Sequence, residues 1–93
     1  QNMIKENDRV MYIGPTIHGV VKNGAVFSGG IPKTLERLTR EKPIMKNLIV
    51  PLSGIVQAKK EAATEGTVAA IACQRILALS REEISKITEG GST

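Results

Sequence analysis

The side chains of this chain that could do chemistry are few, and none of them has an evident catalytic partner in sequence. His18 is the only histidine and Cys73 the only cysteine among 93 residues. A four-ligand zinc site would therefore need ligands from more than one chain, and an intramolecular disulfide is excluded. Ser28, Ser53 and Ser80 resemble turn or cap residues, because no base accompanies them. We therefore predict that the protein is not an enzyme and uses neither a cofactor nor a metal.

The segment 29–33, Gly-Gly-Ile-Pro-Lys, combines two glycines, an expected helix start and the cation of Lys33. Helix N-termini attract anions, so this segment is a candidate phosphate site. It lacks the spacing of both the Walker and the dinucleotide-binding motifs. Two glycines before a helix more often form a tight strand-to-helix turn, and that is our interpretation.

Lys33, Arg37 and Arg40 are spaced i, i+4 and i+7, which places them on one face of a helix. The net charge of +4 lies entirely in residues 1–46, with eight basic and four acidic side chains. A basic face of this kind could follow a phosphate backbone. Glu36 and Glu41 interrupt it, and with two aromatic residues the chain has little to stack on bases. Nucleic-acid binding is therefore an alternative to a simple solvated face.

Asn23 and Gly24 separate two β-branched segments, residues 16–22 and 25–28. Asn-Gly between such segments predicts a β-hairpin with a type I′ turn. Residues 9–13 predict a further strand, which Gly14 and Pro15 end. The side chains expected on the buried face are Ile17, Val20 or Val21, Val26 and Phe27.

A helix is predicted over residues 32–41, with Leu35 and Leu38 buried. Lys42 precedes Pro43, which disfavours helical backbone and ends the helix. Residues 45–50 are short, apolar and β-branched at their end, and predict another strand closed by a proline.

The remainder of the chain has helical patterning. Ser53 is predicted to cap a helix over residues 55–66. Gly66 either ends that helix, with Thr67 capping the next, or lies inside one long helix. Ser80 and Glu83 have the spacing of a capping box, which predicts a last helix. The side chains expected to face the core are Val68, Ile71, Ala72, Ile76, Leu79, Ile84 and Ile87.

Together these elements predict a single α+β domain over residues 9–89. It comprises an N-terminal antiparallel β-hairpin or meander, a helix, an additional strand and a helical C-terminal half. Residues 1–8 form an N-terminal segment and residues 90–93 a flexible tail. The small, aliphatic core favours further burial against a partner chain. The apolar stretches are far shorter than the ~18 residues of a membrane span.

Four blocks in order carry a resemblance: YIGPTI (12–17), GVVKNGAVF (19–27), GIP (30–32) and LIVP (48–51). Over residues 9–66 the chain resembles small, mostly uncharacterised proteins encoded in the structural modules of tailed bacteriophages and prophages of Gram-positive bacteria. The resemblance implies a virion structural or assembly protein, such as a head–tail joining, neck, tail or capsid-associated component. Such a protein works through interfaces with itself or other virion proteins, in the virion or the host cytoplasm.

The surface that we expect to make these contacts consists of Asn23, Gly24, Lys33, Arg37 and Arg40. Homo-oligomerisation is expected, and neither a membrane nor a small-molecule substrate is. The main alternative is a small nucleic-acid-binding regulator that uses the basic face of the first helix. A third alternative is a host-directed phage inhibitor, which would also act through a surface.

Overall fold

The computed structural model describes residues 9–89, which form a three-stranded antiparallel sheet and four α-helices. The strands are β1 (Arg9–Tyr12), β2 (Val26–Ser28) and β3 (Ile49–Pro51). The helices are α1 (Lys33–Glu41), α2 (Ile55–Ala62), α3 (Val68–Leu77) and α4 (Arg81–Thr88). The predicted α+β class with a helical C-terminal half is confirmed. The predicted segment 1–8 and tail 90–93 lie outside the described residues.

β1 is the central strand, and the sheet order is β2-β1-β3. Val10 lies opposite Phe27 of β2, and Met11 lies opposite Val50 of β3. The Tyr12 N–H donates to the Ala25 carbonyl of the β2 side at 2.9 Å, and the Ile13 N–H donates to the Leu48 carbonyl of the β3 side at 2.8 Å. Successive residues of β1 therefore bond to opposite neighbours, as in any central strand.

The strand pairing predicted around Asn23 and Gly24 is wrong. Residues 16–22 form no strand; they turn back on themselves through a single bridge between Ile17 and Val21, and β2 pairs with β1 instead. Gly24 has φ +91°, whereas no non-glycine residue within 9–89 has positive φ. The turn therefore has the pattern of type II rather than type I′. Burial explains the difference, since the local turn places both Ile17 and Val21 in the core.

The strand predicted over residues 45–50 is wrong for most of its length. A 3₁₀ segment, Pro43–Leu48, precedes the short strand β3. Met45 and Leu48 are both fully buried, and a spacing of three brings two side chains onto one face of a 3₁₀ turn. The Asn47 side-chain amide donates to the Ile44 carbonyl at 2.9 Å and stabilises that turn.

The predicted helix starts agree with the structure to within one residue, whereas one of the predicted caps does not. Pro32 is the N-cap of α1, one residue outside the helix, and Leu35 and Leu38 are fully buried. Of the two alternatives for Gly66, the division into two helices with Thr67 capping the second is confirmed, but α2 ends at Ala62 and not at Gly66. The Ser80 capping box of α4 is confirmed as well. The cap predicted at Ser53 is wrong: this residue lies in the 3₁₀ turn Leu52–Gly54, and Gly54 precedes α2.

The core joins the sheet to α1 and α3. Its fully buried large side chains are Tyr12, Leu35, Leu38, Met45 and Leu48. Ala72 and Ile76 of α3 are buried as predicted, whereas Val68 and Val26, both expected in the core, are about half exposed (54% and 45%). No helix within residues 9–89 is long and apolar enough to cross a bilayer.

Candidate functional site

The turn at Asn23 and Gly24 is held by bonds within its own loop. The Asn23 side-chain amide donates to the Gly14 carbonyl at 2.8 Å, and the Asn23 N–H donates to the Thr16 hydroxyl at 3.0 Å. The Gly24 N–H donates to the Tyr12 carbonyl at 2.8 Å. These bonds give both residues a structural role in fixing the loop between β1 and β2.

The basic stripe lies on α1, as expected, but its middle member is engaged. The Arg37 guanidinium donates to the Thr88 carbonyl at the end of α4, at 2.8 Å, and its side chain is half-buried. A cation at a helix C-terminus also complements the helix dipole. Lys33 and Arg40 are exposed, and so are Glu36 and Glu41 on the same helix. The stripe therefore presents two exposed cations beside two exposed carboxylates.

The nucleophile and base candidates of the sequence stand in unremarkable surroundings. His18 is exposed in the turn between Ile17 and Val21. Cys73 is half-buried on α3, and burial raises the pKa of its thiol, so the thiol is protonated at neutral pH. Within residues 9–89, no three His, Cys, Asp or Glu side chains are grouped closely enough to hold a metal ion.

Among the clefts on the surface of residues 9–89, two bear on the search for a substrate site. One, of about 390 Å³, lies between the end of α1 and the end of α3, and its lining includes Lys42, Ile44, Leu79 and Glu83. Hydrogen bonds from Ser80 and the charge of Lys42 lower the pKa of Glu83, which is thus committed to capping α4. The other, of about 400 Å³, is wide open and is lined in part by Cys73. Neither cleft brings together polar groups free to act on a substrate.

The two outer strands of the sheet present different edges. The backbone N–H and C=O groups of Val50 point toward β1. The backbone polar groups of its neighbours, Ile49 and Pro51, therefore point away from the sheet. The Ile49 N–H already donates to the Lys46 carbonyl, and Pro51 has no N–H. The β3 edge therefore has no free donor, a common way of protecting an edge strand.

The β2 edge, by contrast, is unpaired within residues 9–89. Phe27 faces β1 with its backbone, so Val26 and Ser28 turn their N–H and C=O groups outward. Within residues 9–89 no other backbone group bonds to these two residues. Val26 also exposes 45% of its surface. This edge is the candidate functional site.

The sequence prediction placed the interaction surface on the turn and on α1, and it does not include the candidate residues Val26 and Ser28. A signal for the site was present, because residues 25–30 carry neither a charge nor a proline. Pro51, by contrast, is a sequence feature typical of an edge strand, although the prediction from sequence used it only to end the strand.

Comparison with known proteins identifies no relative. No protein-family model matches the chain, and neither a curated protein nor a solved structure shows significant similarity to it.

Proposed function

We propose that this chain is a non-enzymatic structural or assembly protein that acts through protein–protein interfaces, and more narrowly a component of a tailed-phage particle. The observation that carries the proposal is the open β2 edge. An unpaired edge adds a strand from another chain through main-chain hydrogen bonds. Because the β3 edge is blocked, an added strand can pair with the sheet at the β2 edge only.

The narrower part of the proposal is supported by the order of the sequence blocks within residues 9–66. It is tested by mass spectrometry of density-purified particles from a strain that carries the gene. We expect the chain to be enriched with the portal, capsid or tail proteins. Its presence only in the soluble fraction of the lysate would contradict a virion role and leave a role in assembly outside the particle.

The nucleic-acid alternative predicts a different behaviour in solution. Duplex binding measured by fluorescence anisotropy should weaken steeply as salt rises if Lys33 and Arg40 contact phosphates. Replacing both by Glu should then abolish it. Because Arg37 is engaged with Thr88, we expect little binding and little effect of that double substitution. Steep salt dependence, lost in the double variant, would favour the regulator over the assembly protein.

A further inference from the structure

We infer that a second copy of this chain occupies the β2 edge, as an antiparallel β2–β2 pair with Phe27 on the two-fold axis. This inference rests on the assembly role proposed above and names its first partner. It follows from which backbone groups have no partner within residues 9–89, where the strand ends and which side chains it carries.

The free groups match themselves across a two-fold axis. Val26 and Ser28 each offer one outward N–H and one outward C=O. With Phe27 on the axis, Val26 lies opposite Ser28 of the partner subunit, and each pair exchanges two hydrogen bonds. The pairing therefore uses all four outward donors, two from each copy.

The ends of β2 exclude neighbouring registers. The Gly24 N–H is bonded to the Tyr12 carbonyl. If the partner strand shifted toward the turn, Gly24 would therefore have no N–H left to donate to it. On the other side, Gly29 and Gly30 have φ +77° and +128°, which ends the extended backbone after Ser28. A shift of two residues in either direction would thus leave two of the four donors unpaired.

The side chains permit the pairing. Residues 25–30 are uncharged, so no like charges face each other across the axis. Phe27 is half-buried against the core and meets Phe27 of the partner subunit in a close, non-hydrogen-bonded pair. The interface is small, and we expect a weak dimer with a dissociation constant on the order of 0.1 mM.

Disulfide trapping tests the register. Val26→Cys and Ser28→Cys are each made in a Cys73→Ala chain, and folding of both is checked by circular dichroism. The proposed register places residue 26 about 5.5 Å (Cα to Cα) from residue 28 of the other copy, within disulfide reach. Two copies of residue 26, or of residue 28, would lie ~8 Å apart or more. With oxidised glutathione as oxidant, the mixture should therefore form a disulfide-linked dimer, and each variant alone should form far less.

Sedimentation velocity over a range of concentrations tests the hydrogen bonds themselves. Val26→Pro removes the outward N–H of residue 26 in both copies and leaves the β1–β2 ladder intact. Val26→Thr is the matched control, because it keeps that N–H and the β-branched shape. We expect Val26→Pro to raise the dimer dissociation constant at least tenfold, and Val26→Thr to change it less than threefold.

The outcomes separate this inference from the proposed function. A dimer that Val26→Pro leaves unchanged would overturn the β2 pairing but keep a role in assembly, through another surface. Equal cross-linking of the single variants would overturn the register. A chain that stays monomeric at millimolar concentration would overturn the self-pairing. The assembly role would then be decided by whether the chain copurifies with particles.

Discussion

At the scale of single residues, Tyr12 does most to organise the sheet side of the core. It is fully buried in the central strand, and its hydroxyl donates to the Pro15 carbonyl at 2.7 Å. Gly14 lies directly against it. A Cβ at position 14 would come within 2.6 Å of the Tyr12 hydroxyl oxygen and 2.7 Å of Leu48 Cδ1. Close approach, and not a special φ, therefore explains this glycine.

Gly14→Ala should lower the free energy of unfolding by about 1–3 kcal/mol, because Tyr12 and Leu48 are both fully buried and cannot move aside. Urea denaturation measures the change. Gly54→Ala is the matched control, since φ is −113° there and no atom lies within 4 Å of an added Cβ. We expect the control to change stability by less than about 0.5 kcal/mol. Equal effects of the two substitutions would refute the close packing around Gly14.

Burial, and to a lesser degree the nearby Cys73, raises the pKa of Tyr12. The neutral phenol is thus favoured in the folded state, and its contribution is fully present below the unfolded pKa of about 10. That contribution is lost as pH rises toward the folded pKa. Above pH 10 the wild type should therefore lose about 1.4 kcal/mol per pH unit more than Tyr12→Phe does.

The chain has one tyrosine and no tryptophan, so the near-ultraviolet absorbance of phenolate reports on Tyr12 alone. In the folded protein this absorbance should begin to rise only well above pH 10, and in urea near pH 10. Titration of the folded protein near pH 10 would show that the hydroxyl is solvated, contrary to its bond with Pro15.

At the scale of elements, the chain shows where local sequence decides structure. The capping box at Ser80 formed as predicted, because both of its bonds join groups only three residues apart. The strand partner of β2 was not predictable in this way. Asn23-Gly24 favoured a local hairpin, but residues 16–22 form a turn that buries Ile17 and Val21. β2 pairs instead with β1, where Val10 lies opposite Phe27, 17 residues later in the chain. The prediction for residues 45–50 failed similarly, because Met45 and Leu48 are buried on one face of a 3₁₀ turn and only the β-branched end of the segment forms a strand.

Ser53 and Ser80 offer a direct comparison between an expected and an actual cap. Ser80→Ala should lower the free energy of unfolding by about 1 kcal/mol, since its hydroxyl accepts the Glu83 N–H at 3.0 Å. Ser53→Ala should change it by less than about 0.5 kcal/mol, because Ser53 is exposed and makes no cap bond. Both are measured by urea denaturation. A larger loss at Ser53 would mean that Ser53 caps α2 and that the helix begins at Gly54 rather than at Ile55.

At the scale of the whole molecule, one core connects elements that are far apart in sequence. Tyr12 from β1, Leu38 from α1, Met45 from the 3₁₀ segment and Ile76 from α3 belong to the same buried cluster. The predicted interaction surface stays a prediction, but the packing of the whole molecule bears on one of its members. Spacing on one helix identified the basic stripe, but only the packing of α4 on α1 engages Arg37. Likewise, edge exposure depends on the sheet order, which no local pattern encodes.

The shared core leads us to expect that residues 9–89 unfold as one cooperative unit. Near-ultraviolet circular dichroism of Tyr12 reports on the sheet and far-ultraviolet circular dichroism on the helices, and their urea midpoints should coincide. Leu38→Ala should shift both midpoints together, by about 2–5 kcal/mol in the free energy of unfolding, because this fully buried side chain belongs to the common cluster.

Val56→Ala is the control for that shift, because Val56 is 77% exposed on α2 and should change stability by less than about 0.5 kcal/mol. A helical signal that persists after the tyrosine signal is lost would show that α2, α3 and α4 are stable without the sheet. The predicted single domain over residues 9–89 would then be wrong. A rigid sheet is also what holds Val26 and Ser28 in line at the β2 edge, so coincident midpoints would mean that the edge exists only while the helical half is folded.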